Sequence, residues 1–551
     1  MANLIRHADA MSGGEAIVAA LLNQGIDTVF GLPGVQTYGL FDALRRSEDR
    51  VRVIGARHEQ TCGYMAYGYA RATGRPSVFS VVPGPGVLNS GAALLTALSA
   101  NAPVLLVTGQ VPSAFLDRGR GHLHEMPDQL GTLRTLVKWA TRCLVPSMAP
   151  TCVAQAFQQM CSGRRGPAAI ELPWDAFTMR TTVAPSPELP LLPAPSIDEE
   201  QLAGATQLLA RARAPMIFVG GGAVEAAAQV QELAEILDAP VVAFRAGRGI
   251  VSSDHRLSLT AVEAYPLWHS TDVALGIGTR MEIPGWHWRR RPAELKVIRI
   301  DIDPAEMLRT AADVPIVADA RAALSALLAA LRKTHLSRKP DRRSQIADAV
   351  ARTAQQVERV QPQVAYLKTL RDVLPRDGIL TDEICQAGYA SWYAFPVFQP
   401  RTFISSGYQG NLGYGFPTAL GAKAAFPERP VVALSGDGGF LYGAQELATA
   451  VQYRLGLVVV VFNNNAFGNV LRDQIEQFEG RVIASKLVNP DFVRFAESFG
   501  VSAERVSSPT EFRPALERAL GDGNPRLIEV SIPFLESSPW PLLYPEGPYT
   551  R

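Results

Sequence analysis

The sequence predicts an α/β protein of three doubly wound parallel-sheet domains. Three observations predict it. Short runs of β-branched and aliphatic residues alternate with longer Ala- and Leu-rich amphipathic segments, the pattern of parallel strands covered on both faces by helices. Two proline-rich or polar breaks cut the 551 residues into three blocks of ordinary domain size. Glycine-rich stretches directly follow several apolar runs, where open parallel sheets carry their ligand loops.

The first block, residues 1–183, holds the runs Val51–Ile54, Ser77–Val82 and Val104–Thr108. Between them, Met65–Arg75 reads as a helix closed by Gly74, since glycine accepts the left-handed conformation of a C-cap. Residues 184–196 contain five prolines and are predicted to form an extended linker, because proline breaks helical hydrogen bonding. The middle block, 197–333, carries Pro215–Val219, Val273–Ile277 and Val297–Asp301. The polar stretch from Thr334, with Lys339 and Pro340, predicts a second linker over 334–355. The third block, 356–551, carries Val431–Leu434 and Leu457–Phe462 and ends in the proline- and aromatic-rich tail Ser537–Pro545. No short repeat runs through the chain, so a solenoid is excluded.

Composition narrows the function. Apolar residues make up 47% and charged residues 19%, which excludes a disordered polyelectrolyte. Lys and Arg number 53 against 52 Asp and Glu, a net charge of +1. Without a basic excess, nucleic acid is not an expected partner; the densest basic run, Arg289-Arg290-Arg291, reads as a solvated face. No uncharged apolar stretch reaches the roughly 18 residues of a membrane span, and the first residues lack the apolar core of a secretory signal. No membrane partner is expected. Five cysteines lie far apart with no CxxC, which fits a reduced, cytoplasmic chain without a disulfide framework or zinc site.

The chemistry concentrates at two strand ends of the third block. Val431–Leu434 is followed by Ser435-Gly436-Asp437-Gly438-Gly439, and Leu457–Phe462 by Asn463-Asn464-Asn465. Glycines let backbone approach a diphosphate closely, and a helix starting near Gly443 could aim its N–H groups at the anion. Asp437 and Asn464 supply hard oxygens that suit Mg²⁺ or Ca²⁺. Each motif alone is a turn as a rule. Together they are separated by one helix and one strand, the spacing of neighbouring strand ends in a βαβ unit.

These motifs resemble the thiamine-diphosphate signature, and Gln445-Glu446-Leu447-Ala448 resembles the acetolactate-synthase branch of that superfamily. The resemblance covers nearly the whole chain. It implies a pyrimidine-binding first domain, a middle domain and a diphosphate-binding third domain. It also implies Mg²⁺ held by Asp437, Asn464 and the Ala466 carbonyl, with Gly436, Gly438, Gly439, Phe467 and Gly468 around the diphosphate. The segment Gly407–Pro417 resembles the loop in which the residue matching Leu412 wedges under the cofactor while the carbonyl matching Gly410 faces its aminopyrimidine. Gln386, beyond the run ending at Leu380, is expected beside the diphosphate.

In the first block, Arg57-His58-Glu59-Gln60 follows a strand and resembles the segment that bears the family's shared carboxylate. The resemblance implies that a buried Glu59 favours the imino tautomer of the cofactor, which then removes the thiazolium C2 proton. Burial would raise its pKa. Gly31–Gln36 and Gly84–Asn89 match cofactor loops, which makes Gly34, Gly84 and Asn89 cofactor residues and Val35 and Gln36 substrate residues. Gly109-Gln110-Val111-Pro112 and Gly121–Glu125 match segments near the reacting carbon. Gln110 and His124 are thus expected catalytic residues, with His122, His124 and Trp174 at the substrate; a histidine can serve as general acid or base near neutral pH. In the family Glu59 and the diphosphate site come from different subunits, so a homodimer or homotetramer is expected.

The chain departs from acetolactate synthases in three places. Pro173-Trp174-Asp175 replaces Pro-Lys-Asp, Pro284 stands where a second arginine follows the Gly-x-Arg of the middle domain, and Asp473 stands near an expected tryptophan. Pro-Trp-Asp also occurs in benzaldehyde lyase. The middle block lacks the Gly-Met-His-Gly and Arg-Phe-Asp-Asp-Arg of FAD-binding relatives, so FAD is the less favoured reading there. The expectation is a thiamine-diphosphate- and Mg²⁺-dependent carboligase or decarboxylase acting on 2-oxo acids, acyloins or aldehydes. The alternatives are plain decarboxylation, hydrolysis of a diketone, or a non-catalytic cofactor-binding assembly protein. A nucleotide-binding Rossmann protein ranks low, because no Gly-x-Gly-x-x-Gly follows the first strand of any block.

Overall fold

The computed structural model describes residues 9–288, 290–337, 341–534 and 538–547. Arg289 of the basic run, Lys339 and Pro340 of the second expected linker, and Ser537 of the tail lie outside the described residues.

Three six-stranded sheets follow one another along the chain, and every strand pair in them is parallel. The eight apolar runs read from sequence all fall on strands; seven are largely buried, and Val51–Ile54 lies on the edge strand Arg52–Gly55, where Arg52 is exposed. In the first sheet the order is Arg52–Gly55, Thr28–Gly31, Ser77–Val81, Val104–Gln110, Ala168–Pro173, Trp139–Arg142. An antiparallel pair, Asp9–Ser12 with Arg180–Val183, ties the start of this domain to its end. The third sheet repeats the same winding: Phe403–Ile404, Ile379–Thr381, Val431–Gly436, Val458–Asn463, Arg526–Ser531, Ser502–Val506. In each sheet the chain first winds to one edge and then crosses back to wind the other way, and the crevice at that first reversal is where ligands bind in open α/β sheets. The reversal falls between Thr28–Gly31 and Ser77–Val81 in the first sheet. In the third it falls between Ile379–Thr381 and Val431–Gly436.

The first and third domains share one hydrophobic core, in which Phe30, Ile54 and Phe79 join Ile379, Phe416 and Val431. The seam is a helix pair. Glu59–Thr73, capped at its start by the His58 side chain and closed by Gly74 at φ 72°, packs on Gly415–Ala425. Small residues permit the approach: a Cβ on Gly68 would stand on the Thr418 carbonyl oxygen, and one on Gly421 on that of Met65.

Residues 184–198 carry no helix or strand. The second expected linker is corrected: Arg343–Val357 is a helix. Ile346 and Ala349 of this helix enter the middle-domain core, and it packs on Ala261–Trp268. Its polar composition reflects a helix with one narrow buried stripe, which the reading of a linker from charge alone overlooked.

Candidate active site

At the reversal point of the third sheet lies a cavity of about 330 Å³. Gly436–Gly439, Gln386, Leu412 and Asn464 line it, as do Ala466, Phe467 and Gly468. Asp437 opens the short helix Asp437–Phe440 directly after the strand and is buried. Its Oδ2 accepts hydrogen bonds from the Ala466 N–H at 3.2 Å and the Asn489 Nδ2 at 2.8 Å. Burial pushes the carboxyl above the ordinary range, and those donors oppose the rise. Asn489 also donates to Asn463 Oδ1 at 2.9 Å and Asn465 Oδ1 at 3.3 Å, so one side chain ties the metal-type carboxylate to the asparagine turn. Sequence reading missed Asn489, which lies 24 residues beyond that turn with no motif around it.

Gln386 begins the helix Gln386–Ala394, whose N-terminus faces the cavity. Its Oε1 accepts from Gln363 at 2.9 Å, while its buried Nε2 has no partner among the described residues. Gly438 has no room for a Cβ, because the Phe467 ring occupies that space. Asn464 Nδ2 lies 2.9 Å from where a Cβ on Gly468 would stand. Gly410, at φ 57°, ends the turn Gly407–Gln409. The neighbouring Asn411 is braced by Tyr64 and by Thr96 at 3.2 Å, so the first domain steadies the loop that carries Leu412. Behind that loop stand two buried acids of the segment that leads to Gln386. Asp382 accepts from Trp392 Nε1 at 2.5 Å and from Tyr414, and Glu383 accepts from the Gly413 N–H. Burial pushes both up to about 7.

The second cluster lies at the reversal point of the first sheet. Glu59 is the first residue of its helix, and Oε2 accepts from Asn89 Nδ2 at 3.1 Å. The backbone just before it is held from the third domain, where both Glu446 oxygens accept the Arg57 N–H at 3.0 and 3.1 Å. The expected burial of Glu59 is corrected for a single chain: the residue is only half-buried. Gly34 caps the turn Val35–Thr37. Gln36 is fully buried, donates to the Leu123 carbonyl at 2.9 Å, and places Oε1 2.9 Å from His124 Nδ1. The amide oxygen can only accept, so Nδ1 carries the proton and Nε2 is left for other work. Gly84, at φ 59°, donates its N–H to Gln129 and leaves no room for a Cβ beside the His124 carbonyl. His122 packs on Phe115 with ring centroids 5.1 Å apart and has a buried Nδ1 without a partner.

Two expected residues are not drawn into that cluster. Gln110 is buried and reaches the cluster only indirectly: Oε1 accepts from Val111 N–H at 2.8 Å and Nε2 points at Glu171, which Arg142 and Gln129 also engage, and Gln129 in turn accepts from the Gly84 N–H. Trp174 opens the short helix Trp174–Thr178 and is half-buried. Among the described residues no hydrogen bond or ring contact links it to Gln36, Glu59 or His124. The two clusters also stay apart in one chain, since no first-domain residue among those described lines the third-domain cavity.

The residues of that cavity fit a metal-bound diphosphate: a buried amide donor without a partner, a carboxylate, an asparagine and unhindered backbone. Among the described residues no three His, Cys, Asp or Glu side chains converge as a metal site, so a cation here would rest on Asn464 and backbone oxygen beside Asp437.

Residues 11–132 match the family model of the thiamine pyrophosphate enzyme N-terminal TPP binding domain, 202–327 the central domain, and 383–530 the C-terminal TPP binding domain. The chain therefore belongs to the thiamine pyrophosphate enzymes and is an enzyme dependent on thiamine diphosphate. Within them it is acetolactate synthase-like. It is 34% identical over 535 residues to the probable 2-ketoarginine decarboxylase of Pseudomonas aeruginosa, with 94% of each chain covered. It is 33% identical over 555 residues to the acetolactate synthase isozyme 3 large subunit of Escherichia coli, with 95% of each covered. The probable acetolactate synthase large subunit of Methanocaldococcus jannaschii is 33% identical over 557 residues, covering 96% of this chain and 93% of the relative.

Proposed function

We propose that the protein is a thiamine-diphosphate- and Mg²⁺-dependent carbon–carbon lyase that decarboxylates 2-oxo acids, with ligation to a second carbonyl compound as a side reaction. The observation that carries this reading is the cavity in which the unpartnered Gln386 Nε2, Asp437 and Asn464 meet. The replacement of the tryptophan and arginine of acetolactate synthases by Asp473 and Pro284 favours cleavage over pyruvate condensation.

Bound there, the cofactor would supply a nucleophilic ring carbon and an electron sink for the substrate carbonyl. Asp437, Asn464 and the Ala466 carbonyl would hold Mg²⁺, and Gln386 would donate to a diphosphate oxygen. Leu412 would support the ring conformation. Glu59 Oε2 is held by Asn89, which leaves Oε1 to share a proton with the pyrimidine ring. His124 Nε2 would exchange a proton with the substrate.

A second copy of the chain would bring the two clusters together and complete the burial of Glu59. Exposed apolar side chains support this: Tyr38, Leu88 and Leu123 by the first cluster, and Tyr442, Val470 and Phe478 by the cavity. A homodimer or homotetramer follows. Five free thiols fit a reducing cytoplasm. No helix among the described residues is long and apolar enough to cross a membrane.

Product analysis with pyruvate, benzoylformate and longer 2-oxo acids tests the reading. CO₂ and aldehyde support it, whereas acetolactate as the main product favours the synthase alternative. Glu59→Gln lowers turnover about 100-fold or more; wild-type turnover by that variant refutes the assigned role.

A further inference from the structure

We propose that Asp473 is a specificity-determining residue that selects 2-oxo acids carrying a cationic group at the far end of the side chain. This rests on the lyase reading above and names its substrate class.

Asp473 sits on the helix Gly468–Gln477, which starts at the cavity, and its side chain lines the cavity while remaining exposed. The charged residues lining the cavity are Asp437 and Asp473, both acids; no lysine or arginine lines it among the described residues. Their situations differ. The Asp437 carboxylate is occupied by Asn489 and the Ala466 N–H. Asp473 receives one neutral hydrogen bond, from Gln477 Nε2 at 3.2 Å, and no ion pair engages it among the described residues. The adjacent Arg472 attracts the Asp473 carboxylate through space, but its guanidinium is buried and shared with Asn469 Oδ1, Ser538 Oγ and, at 4.0 Å, Glu476.

The rest of the wall near Asp473 suits the stem of such a substrate. Val470 is apolar, and Tyr389 and Trp540, with ring centroids 4.3 Å apart, line the same cavity. Aliphatic carbons pack on such a surface, and aromatic rings attract cations. A guanidinium or ammonium end would donate a charge-assisted hydrogen bond to Asp473. A neutral end would leave that carboxylate desolvated and unpaired once a second subunit covers the site, and an anionic end would meet like charge.

The test uses full-length protein loaded with thiamine diphosphate and Mg²⁺, assayed for CO₂ release from 5-guanidino-2-oxopentanoate, 2-oxohexanoate and 2-oxoglutarate. Binding of the same three compounds is followed by calorimetry. The wild type is expected to favour the guanidino acid over the neutral one at least tenfold in kcat/KM. Asp473→Asn lowers that ratio at least tenfold, more through KM than kcat, and Asp473→Glu keeps the preference. An unchanged ratio in Asp473→Asn, or a wild-type preference for the neutral or anionic acid, overturns the inference and leaves the lyase reading standing. Absence of CO₂ from every acid overturns the lyase reading instead. The isotherms then decide: tenfold weaker binding of the guanidino acid to Asp473→Asn supports charge selection, and equal binding refutes it.

Discussion

The imidazole of His287 lies flat on the ring of Tyr544, with centroids 4.2 Å apart and planes 14° from parallel. Its Nδ1–H donates to the Leu543 carbonyl at 2.9 Å, and Nε2 stands 3.5 Å from Glu282. Glu546 accepts from the Arg290 N–H at 3.1 Å and from the Tyr265 hydroxyl at 3.2 Å. The middle domain thereby grips the C-terminal segment that places Trp540 in the cavity wall.

His287→Ala is expected to loosen this segment. The stack and the hydrogen bond together contribute about 1–3 kcal/mol, so the open fraction rises roughly tenfold or more. Hydrogen exchange over 540–547 would speed up accordingly, and KM would rise several-fold with kcat less affected. Unchanged exchange in that segment refutes the grip.

Asn489→Ala removes the amide that donates to Asp437 and links Asn463 to Asn465. A hydrogen bond to a charged acceptor contributes about 1.5–3 kcal/mol, so Mg²⁺-dependent cofactor affinity should fall roughly tenfold or more. Fluorescence titration with thiamine diphosphate at fixed Mg²⁺ measures it. Retention of wild-type affinity would show that the bridge is dispensable.

Asp382 and Glu383 give the fold a pH dependence of definite sign. Their folded pKa values, pushed up to about 7 by burial, lie above the ordinary values of 3.8 and 4.5. The folded state therefore holds more protons than the unfolded chain between those limits. Their contribution is complete at acidic pH below the unfolded values and is lost as pH rises to about 7. Glu383→Gln should flatten that decline. Thermal unfolding between pH 5 and 8 reads the slope, and identical slopes in both proteins contradict the prediction.

Gly421→Ala tests the helix seam. A Cβ there would stand on the Met65 carbonyl oxygen, so backbone must shift. Overpacking of this kind costs about 1–3 kcal/mol, seen as a lower Tm and weaker protection of the helix Glu59–Thr73. A Tm equal to that of the wild type would mean that the seam yields easily.

Much of this was legible in the residues. The apolar runs became buried parallel strands, and the glycine and asparagine motifs came to rest at the sheet reversal. Two strands that bury an acid in mid-strand were not legible. Arg526–Ser531 contains Glu529, buried because Asn463 Nδ2 at 2.8 Å and Arg505 Nε at 2.9 Å meet its two oxygens. Ala168–Pro173 contains Glu171, met by Arg142 and Gln129. A buried acid breaks the apolar pattern that marks a strand, and its partners lie too far along the chain to be read locally.

By itself the sequence determined the fold class and the cofactor class, and it marked the glycine and asparagine loops that line the cavity. Those are local requirements: covered strands need continuous apolar runs, and a diphosphate needs small residues and hard oxygens at neighbouring strand ends. Only the tertiary structure decided which distant side chains serve those loops. It brought Asn489 to Asp437, Glu446 to the backbone before Glu59, and His287 to the C-terminal segment. It also left Glu59 half-buried and outside the lining of the cavity, because the first and third domains of one chain pack through the helices Glu59–Thr73 and Gly415–Ala425.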